Sequence, residues 1–385
     1  MNEPRFDIAI VGAGIAGASL AWRLAQSGAA PRVLLLEAEE QPGYHSTGRS
    51  AAMFMESYGP PQARALTRAS RSFYSAPPAG FADVPLMAAP RGALYVGWQG
   101  QQAQIDAMQA ELQSTGTAVQ RLDAQQTLAL VPVLRGDGLL GGVFEADAAD
   151  LDVHALHQGF LRGARAGGAV QLWTSARLRH ARRDVADANW QLLLADGRAA
   201  RAGVLVNAAG AWADELAQCA GAAPVGLQPK RRSAFTFAAP EGLDLARCPL
   251  VAGVDEGWYF KPDAGQMLGS PANADDVLPQ DVQPEELDIA TGIYNIETAT
   301  TLQIRRPHSA WAGLRSFVPD GELVIGFDPA CEGLFWLAGQ GGYGIQSAAG
   351  ASELAAALLL GQPLSERLLR DGVEPARMSP ARLRR

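Results

Sequence analysis

Three glycines, Gly12, Gly14 and Gly17, stand between a β-rich run, FDIAIV, and a segment of helical period, and Glu37 closes the next apolar run, RVLLLE. That spacing has a definite chemistry. The first glycine permits a tight turn, the second lets backbone approach a pyrophosphate at the positive N-terminus of a helix, and the third lets helix and strand pack closely. An acidic residue about twenty positions on accepts from ribose hydroxyls. A dinucleotide is expected here, and the fingerprint by itself fits FAD and NAD equally. The loop that follows, QPGYHSTGRSAAMFMESYG from Gln41 to Gly59, holds the earliest histidine, His45, together with Arg49, Glu56 and Tyr58. Its makeup poses the question of a catalytic base.

The elements that must position these residues follow from periodicity. FDIAIV, the helix beginning in GAGIAGASLAW and RVLLLE make a strand–helix–strand unit of about thirty residues, which requires a parallel sheet and a right-handed crossover. LDVHALHQGFLRGARAGG predicts a helix capped by Asp152, with Val153, Leu156 and Phe160 on one face. AVQLW, NWQLLLA and VLVNAAG read as a return to the first sheet. Pro229 to Pro307 reads as alternating strands and turns, RSAFTFAAP, GWYFKP and TLQIRRP among them, and so as an antiparallel sheet of a second domain. GELVIGF, GLFWLAG and the long helix after GQGGYG close the chain. The expected architecture is α/β with two domains. A Rossmann-like nucleotide domain takes residues 1–52, 148–222 and 312–370, a substrate domain on a mixed or antiparallel sheet takes 53–147 and 223–311, and 371–385 is a tail.

A chain of 385 residues with 48% hydrophobic content is that of a globular protein of more than one core. The net charge of −8 argues against a nucleic-acid partner. Cys219, Cys248 and Cys331 are scattered and odd in number, so neither disulfides nor a zinc site is expected, and a reducing cytoplasm fits best. No charged-then-apolar leader precedes Phe6 and glycines break the first apolar run, which predicts neither a signal peptide nor a membrane span. The expected location is cytoplasmic, with a peripheral contact at the inner membrane left open. His154 and His157 lie three apart on a predicted helix but have no third partner, and no metal is expected.

Five runs in order, GYHSTGRSAA, VLVNAAGAWADELA, QPKRRSAF, WAGLRSFVPDG and AGQGGYGIQ, make the chain similar to the FAD-dependent amino-acid oxidoreductases related to D-amino acid oxidase and glycine oxidase. The likeness is greatest to their bacterial D-arginine dehydrogenase branch and spans nearly the whole chain. It implies FAD, and because Cys331 stands before a strand and no cysteine falls in AGLRSF, no covalent link is expected. Beside Gly12, Gly14, Ile15, Ala16 and Gly17, and Glu37 with Ala38, the resemblance implies cofactor contacts at Ser46, Thr47, Arg49, Ser50, Ala51 and Ala52. It implies further contacts at Ala176, at Ala209, Gly210 and Trp212, and at Gly313. Gly341, Gly342, Tyr343, Gly344 and Ile345 would lie against the pyrimidine side of the isoalloxazine, where a helix N-terminus favours the negative charge of reduced flavin. His45 becomes a loop-shaping residue.

By the same resemblance Arg315 clamps a substrate carboxylate, helped by Arg232, Tyr58, Tyr259 and Gly342. Arginine's planar fork suits the task. The implied reaction is oxidative deamination of a D-amino acid to a 2-oxo acid and ammonia, with hydride passing from the α-carbon to flavin N5. A quinone, a dye-like carrier or oxygen would take the electrons. Where the D-arginine branch is expected to carry a histidine and a glutamate that meet a guanidinium, this chain has Met53 and Gly92. The pocket is therefore expected to favour apolar or neutral side chains, with Glu56 as the nearest replacement charge. Two other readings stand beside this one: oxidation of secondary amines of glycine or sarcosine type, or of 2-hydroxy acids, and a non-catalytic FAD-binding subunit.

Overall fold

The computed structural model describes residues 3–184 and 186–384. Eight strands form the first sheet. Its parallel centre runs, in spatial order, Val170–Trp173, Val33–Leu36, Arg5–Val11, Ala199–Asn207 and Leu334–Ala338. Val324–Phe327 adds an antiparallel edge, and the hairpin of Leu178–Arg183 and Trp190–Leu194 pairs onto Ala199–Asn207. The central strands are apolar without alternation because both faces are covered: all four residues of VLLL are buried.

Helices Ile15–Ala25, Val153–Ala166 and Gly344–Leu359 pack together over one face of this sheet. Val153–Ala166 begins, as its sequence predicts, with Asp152 accepting the Ala155 N–H at 2.7 Å. Trp22, Phe73, Phe81 and Phe160 form an aromatic cluster beneath these helices, with centroid separations of 5.0 to 5.6 Å. Burying each such side chain stabilises the fold by about 1.5–3 kcal/mol. Tyr74, on the helix Pro61–Ser75, donates to the Ile345 carbonyl at 2.6 Å and so holds the start of Gly344–Leu359, which borders the site.

The second sheet has nine strands. It is mixed rather than purely antiparallel, since Leu250–Gly253 runs parallel to Ala93–Trp98. Register places Tyr95, Ala252, Tyr259 and Ser270 in one row across four neighbouring strands. Strands Gln228–Phe237 and Ser309–Phe317 pair along their length, and Ser309–Phe317 thereby belongs to the second sheet. The two-residue strands Met53–Phe54 and Ala149–Asp150 pair where the chain passes between the sheets.

The strand-and-turn reading of residues 229–307 fails at two adjoining places. Glu286–Ala299 is a helix, and 301–307 contains no strand. Ile289, Ile293, Ile296 and neighbouring threonines give the segment a strand-like composition. The acidic first turn, Glu286 and Asp288, favours a helix N-terminus, and Gly292 lets the helix lie directly on Phe235.

Candidate active site

The dinucleotide end is built from backbone. Gly12 has φ +104°, and a Cβ there would stand 2.3 Å from the Ala208 carbonyl oxygen. A Cβ on Gly17 would stand 1.9 Å from the Gly12 oxygen. No larger side chain fits either position. Glu37 is buried, and its two oxygens accept the N–H groups of Ala13 and Glu39, each at 3.0 Å. Burial holds its carboxyl above the usual range, and those N–H donors work against the rise. Glu37, Ala38, Ala176, Ala209, Gly210 and Trp212 line a cavity of about 210 Å³.

The role of one residue at this end escaped the sequence reading. His157 is buried, and its Nε2 stands 2.8 Å from the Ala13 carbonyl oxygen, which assigns the ring proton to Nε2 because a carbonyl only accepts. Burial lowers its pKa, so the ring is neutral. Gly43 lies flat against that ring. His157 thus joins the glycine turn to the next loop, a role unlike the metal pairing its spacing with His154 invites. Among the described residues no metal-binding cluster occurs.

That next loop spans the two domains. Ser46 donates to the Leu314 carbonyl at 2.6 Å, and Thr47 Oγ1 accepts the Ile15 N–H at 3.0 Å. Arg49 donates to the carbonyls of Val282 and Ala312, both at 3.0 Å, and to Asp281 at 2.5 Å. Its guanidinium is therefore committed to protein, while the residue itself borders the cavity. His45 contacts Glu39 at 3.0 Å and packs on Trp212, the loop-shaping part expected of it.

The larger cavity, about 350 Å³, has Gly14, Ile15, Ala16 and the stretch from Ser50 to Met53 on one side. Gly313, Gly341, Gly342, Gly344 and Ile345 lie on another. Tyr343 caps the helix Gly344–Leu359, whose first turn carries no acidic residue, so its free N–H groups face the cavity uncompensated. The two cavities share Gly14, Ser46, Thr47, Ala208 and Gly210, and together they fit an elongated flavin dinucleotide.

Above this floor stand Arg232, Arg315, Tyr58 and Tyr259. Register sets Arg232 opposite Gly313 and Lys230 opposite Arg315, so the two arginines are diagonal neighbours on paired strands. Arg232 Nε donates to the Asn273 carbonyl at 2.6 Å, and Arg315 donates to the Tyr58 hydroxyl. Tyr58 also meets Tyr343 edge-on at 5.3 Å. A Cβ on Gly342 would fall 1.7 Å from Arg315 Nη2, so the guanidinium lies against bare backbone.

Neither arginine has a carboxylate within ion-pair distance among the described residues. Burial lowers the Arg232 pKa, and the charge of Arg315 lowers it further. For Arg315 burial also acts against the charge, but Tyr58 and Tyr259 outweigh it and hold the pKa above the ordinary value. An anion between the two groups would relieve both costs. Burial raises Tyr343 to about 12, so it remains a neutral hydroxyl.

The far end of the cavity is apolar. Met53, Met55, Tyr95, Leu250 and Ala252 pack into one cluster there. Gly92 is not brought into the cavity: its φ is +82°, and a Cβ would meet the Phe144 ring at 2.3 Å. Glu56 turns away to Arg71, at 2.6 Å. The carboxylate that does border the cavity is Glu256, which the sequence reading missed, as it missed Tyr95 and Gln346. Gln346 accepts the Met55 N–H and donates to the Tyr58 carbonyl, each at 3.2 Å. Its place in AGQGGYGIQ, one turn into the helix, was the available signal.

Residues 7–358 match the family described as DAO, FAD dependent oxidoreductase. The bovine (Bos taurus) FAD-dependent oxidoreductase domain-containing protein 1 is 27% identical over 177 residues, 41% of this chain and 35% of that protein, so the match spans about a third of the curated relative. Among solved structures, glycine oxidase from Geobacillus kaustophilus superimposes with a TM-score of 0.81 at 20% identity, covering 98% of both chains. Iminodiacetate oxidase from Chelativorans sp. BNC1 gives 0.79 at 22% identity, covering 97% of this chain and 98% of that one. At such identities the structures speak for the fold, and the family match carries the assignment. With its glycine turn, its two adjoining cavities and this match over most of its length, the chain belongs to the DAO family of FAD-dependent oxidoreductases.

Proposed function

We propose that the protein oxidises D-α-amino acids with apolar or neutral side chains to 2-oxo acids and ammonia, by hydride transfer from the α-carbon. The observation that carries this reading is the pair of arginines, Arg315 and Arg232, sharing one cavity with no carboxylate of the described residues within ion-pair distance of either. A substrate carboxylate completes that charge arrangement, and Arg315 receives it through a planar fork already oriented by Tyr58 and by the bare surface of Gly342. FAD, when bound, supplies the hydride acceptor.

Among the described residues no histidine borders this cavity, and an amine that enters without its proton needs no base there. Met53, Met55, Tyr95, Leu250 and Ala252 receive the side chain by apolar contact, and the flexible thioethers adapt to several shapes.

A secondary amine acid is the second reading. It is favoured by the presence of two arginine forks where one carboxylate needs only one, and by the names of the structural neighbours glycine oxidase and iminodiacetate oxidase. The deciding experiment mixes the yellow protein anaerobically with D- and L-amino acids, glycine, sarcosine and iminodiacetate, and follows loss of flavin absorbance. Fast bleaching by D-Met, D-Leu or D-Phe is expected. Bleaching by L-isomers alone, or a D-Arg kcat/KM far above the apolar substrates, overturns the reading.

A further inference from the structure

Glu145 is the last residue of strand Leu139–Glu145, in register with Ala93, on the sheet face that also carries Tyr95. It is 1% exposed and has no basic partner among the described residues. Burial raises its pKa, and contacts to Ser57 work in the opposite direction. An apolar residue would fill this place at lower cost, because removing a carboxyl from water without a cation is expensive. What the carboxyl alone supplies is a hydrogen bond: Glu145 Oε2 accepts the Ser57 hydroxyl at 2.6 Å.

Ser57 is buried and sits between Glu56, paired with Arg71, and Tyr58, whose hydroxyl meets Arg315. The turn Met55–Tyr58 is closed by the Tyr58 N–H on the Met55 carbonyl at 3.3 Å. On one side Gln346 holds its two ends to the helix Gly344–Leu359. On the other Glu145 holds its middle to the second sheet. Tyr58 itself is 36% exposed, so its direction depends on those two anchors. Glu145 does not border the cavity and touches neither substrate nor cofactor space.

We propose that Glu145 is a positioning residue: by holding Ser57 it fixes the Met55–Tyr58 turn and keeps the Tyr58 hydroxyl on Arg315, ready for a substrate carboxylate. This rests on the carboxylate clamp of the proposed function. Benzoate serves as a probe that needs no turnover, because an aromatic carboxylate held beside bound flavin shifts its absorbance. With holoenzyme, E145A and S57A are expected to weaken benzoate binding about tenfold, while E145Q, whose amide oxygen still accepts from Ser57, stays within about threefold of wild type. Flavin content should be unchanged. Adding Y58F to E145A or to S57A should cost nothing further, since all three changes remove one interaction.

Wild-type benzoate affinity in well-folded E145A or S57A, or fully additive losses with Y58F, overturns the proposal. S57A keeps the test decisive if E145A fails to fold. A wild-type protein that ignores benzoate overturns it as well. An amino-acid panel that leaves the flavin oxidised while benzoate still binds would sink only the proposed reaction.

Discussion

The two ends of the cleft are made in different ways. At the dinucleotide end, shape comes from backbone: glycines that admit no Cβ, a buried Glu37 and a histidine that grips a main-chain carbonyl. At the substrate end it comes from side chains on two paired strands and one short turn, with charge left uncompensated. The first kind of construction binds a fixed ligand through geometry that no substitution can adjust. The second can be retuned residue by residue, and this is how one cofactor fold serves many substrates.

The contrast is sharpest if variants at the two ends fail differently. Gly12→Val drives a side chain into the Ala208 carbonyl and should yield protein without yellow colour, a total loss seen in the absorbance of the purified chain. Arg315→Lys should keep full flavin content yet lose about 3 kcal/mol of transition-state binding, roughly a hundredfold in kcat/KM. Unchanged steady-state kinetics would remove Arg315 from the site. Gly342→Ala should resemble it with a smaller loss, about tenfold in KM, because the added methyl displaces the guanidinium without removing it.

The smallest expected effect lies at the backbone-built end. His157 is neutral in the fold because burial lowers its pKa, whereas in an unfolded chain it titrates near about 6.5. Below that pH the unfolded state binds more protons, so its contribution is fully present above about 6.5 and is lost as the pH falls from there through the folded value. Flavin retention on a gel-filtration column should weaken on that acid side, and H157Q, which keeps an N–H donor, should flatten the dependence.

The same division explains what the sequence disclosed. Gly12, Gly14, Gly17 and Glu37 are legible because each is demanded by local geometry within one strand–helix–strand unit. Arg315 and Arg232 come together only through the register of strands that begin some eighty residues apart, and resemblance rather than spacing pointed to them. Gly92 shows the limit of that transfer: it occupies the position of an expected charge but serves as a packing point under Phe144. Glu145 and Tyr95 were invisible because nothing nearby in the chain marks a buried polar anchor. The helix Glu286–Ala299 was missed for its β-branched composition, although its acidic first turn was there to be read.

Arg49 has a consequence for the protein's synthesis. Its guanidinium is seated on the carbonyls of Val282 and Ala312, residues 233 and 263 positions further along the chain. The loop it belongs to cannot settle while the ribosome has yet to deliver those carbonyls, so the cofactor chamber is completed only after most of the polypeptide exists. Holoenzyme formation is thus a late event in the chain's life, since it follows delivery of the carbonyls that seat Arg49.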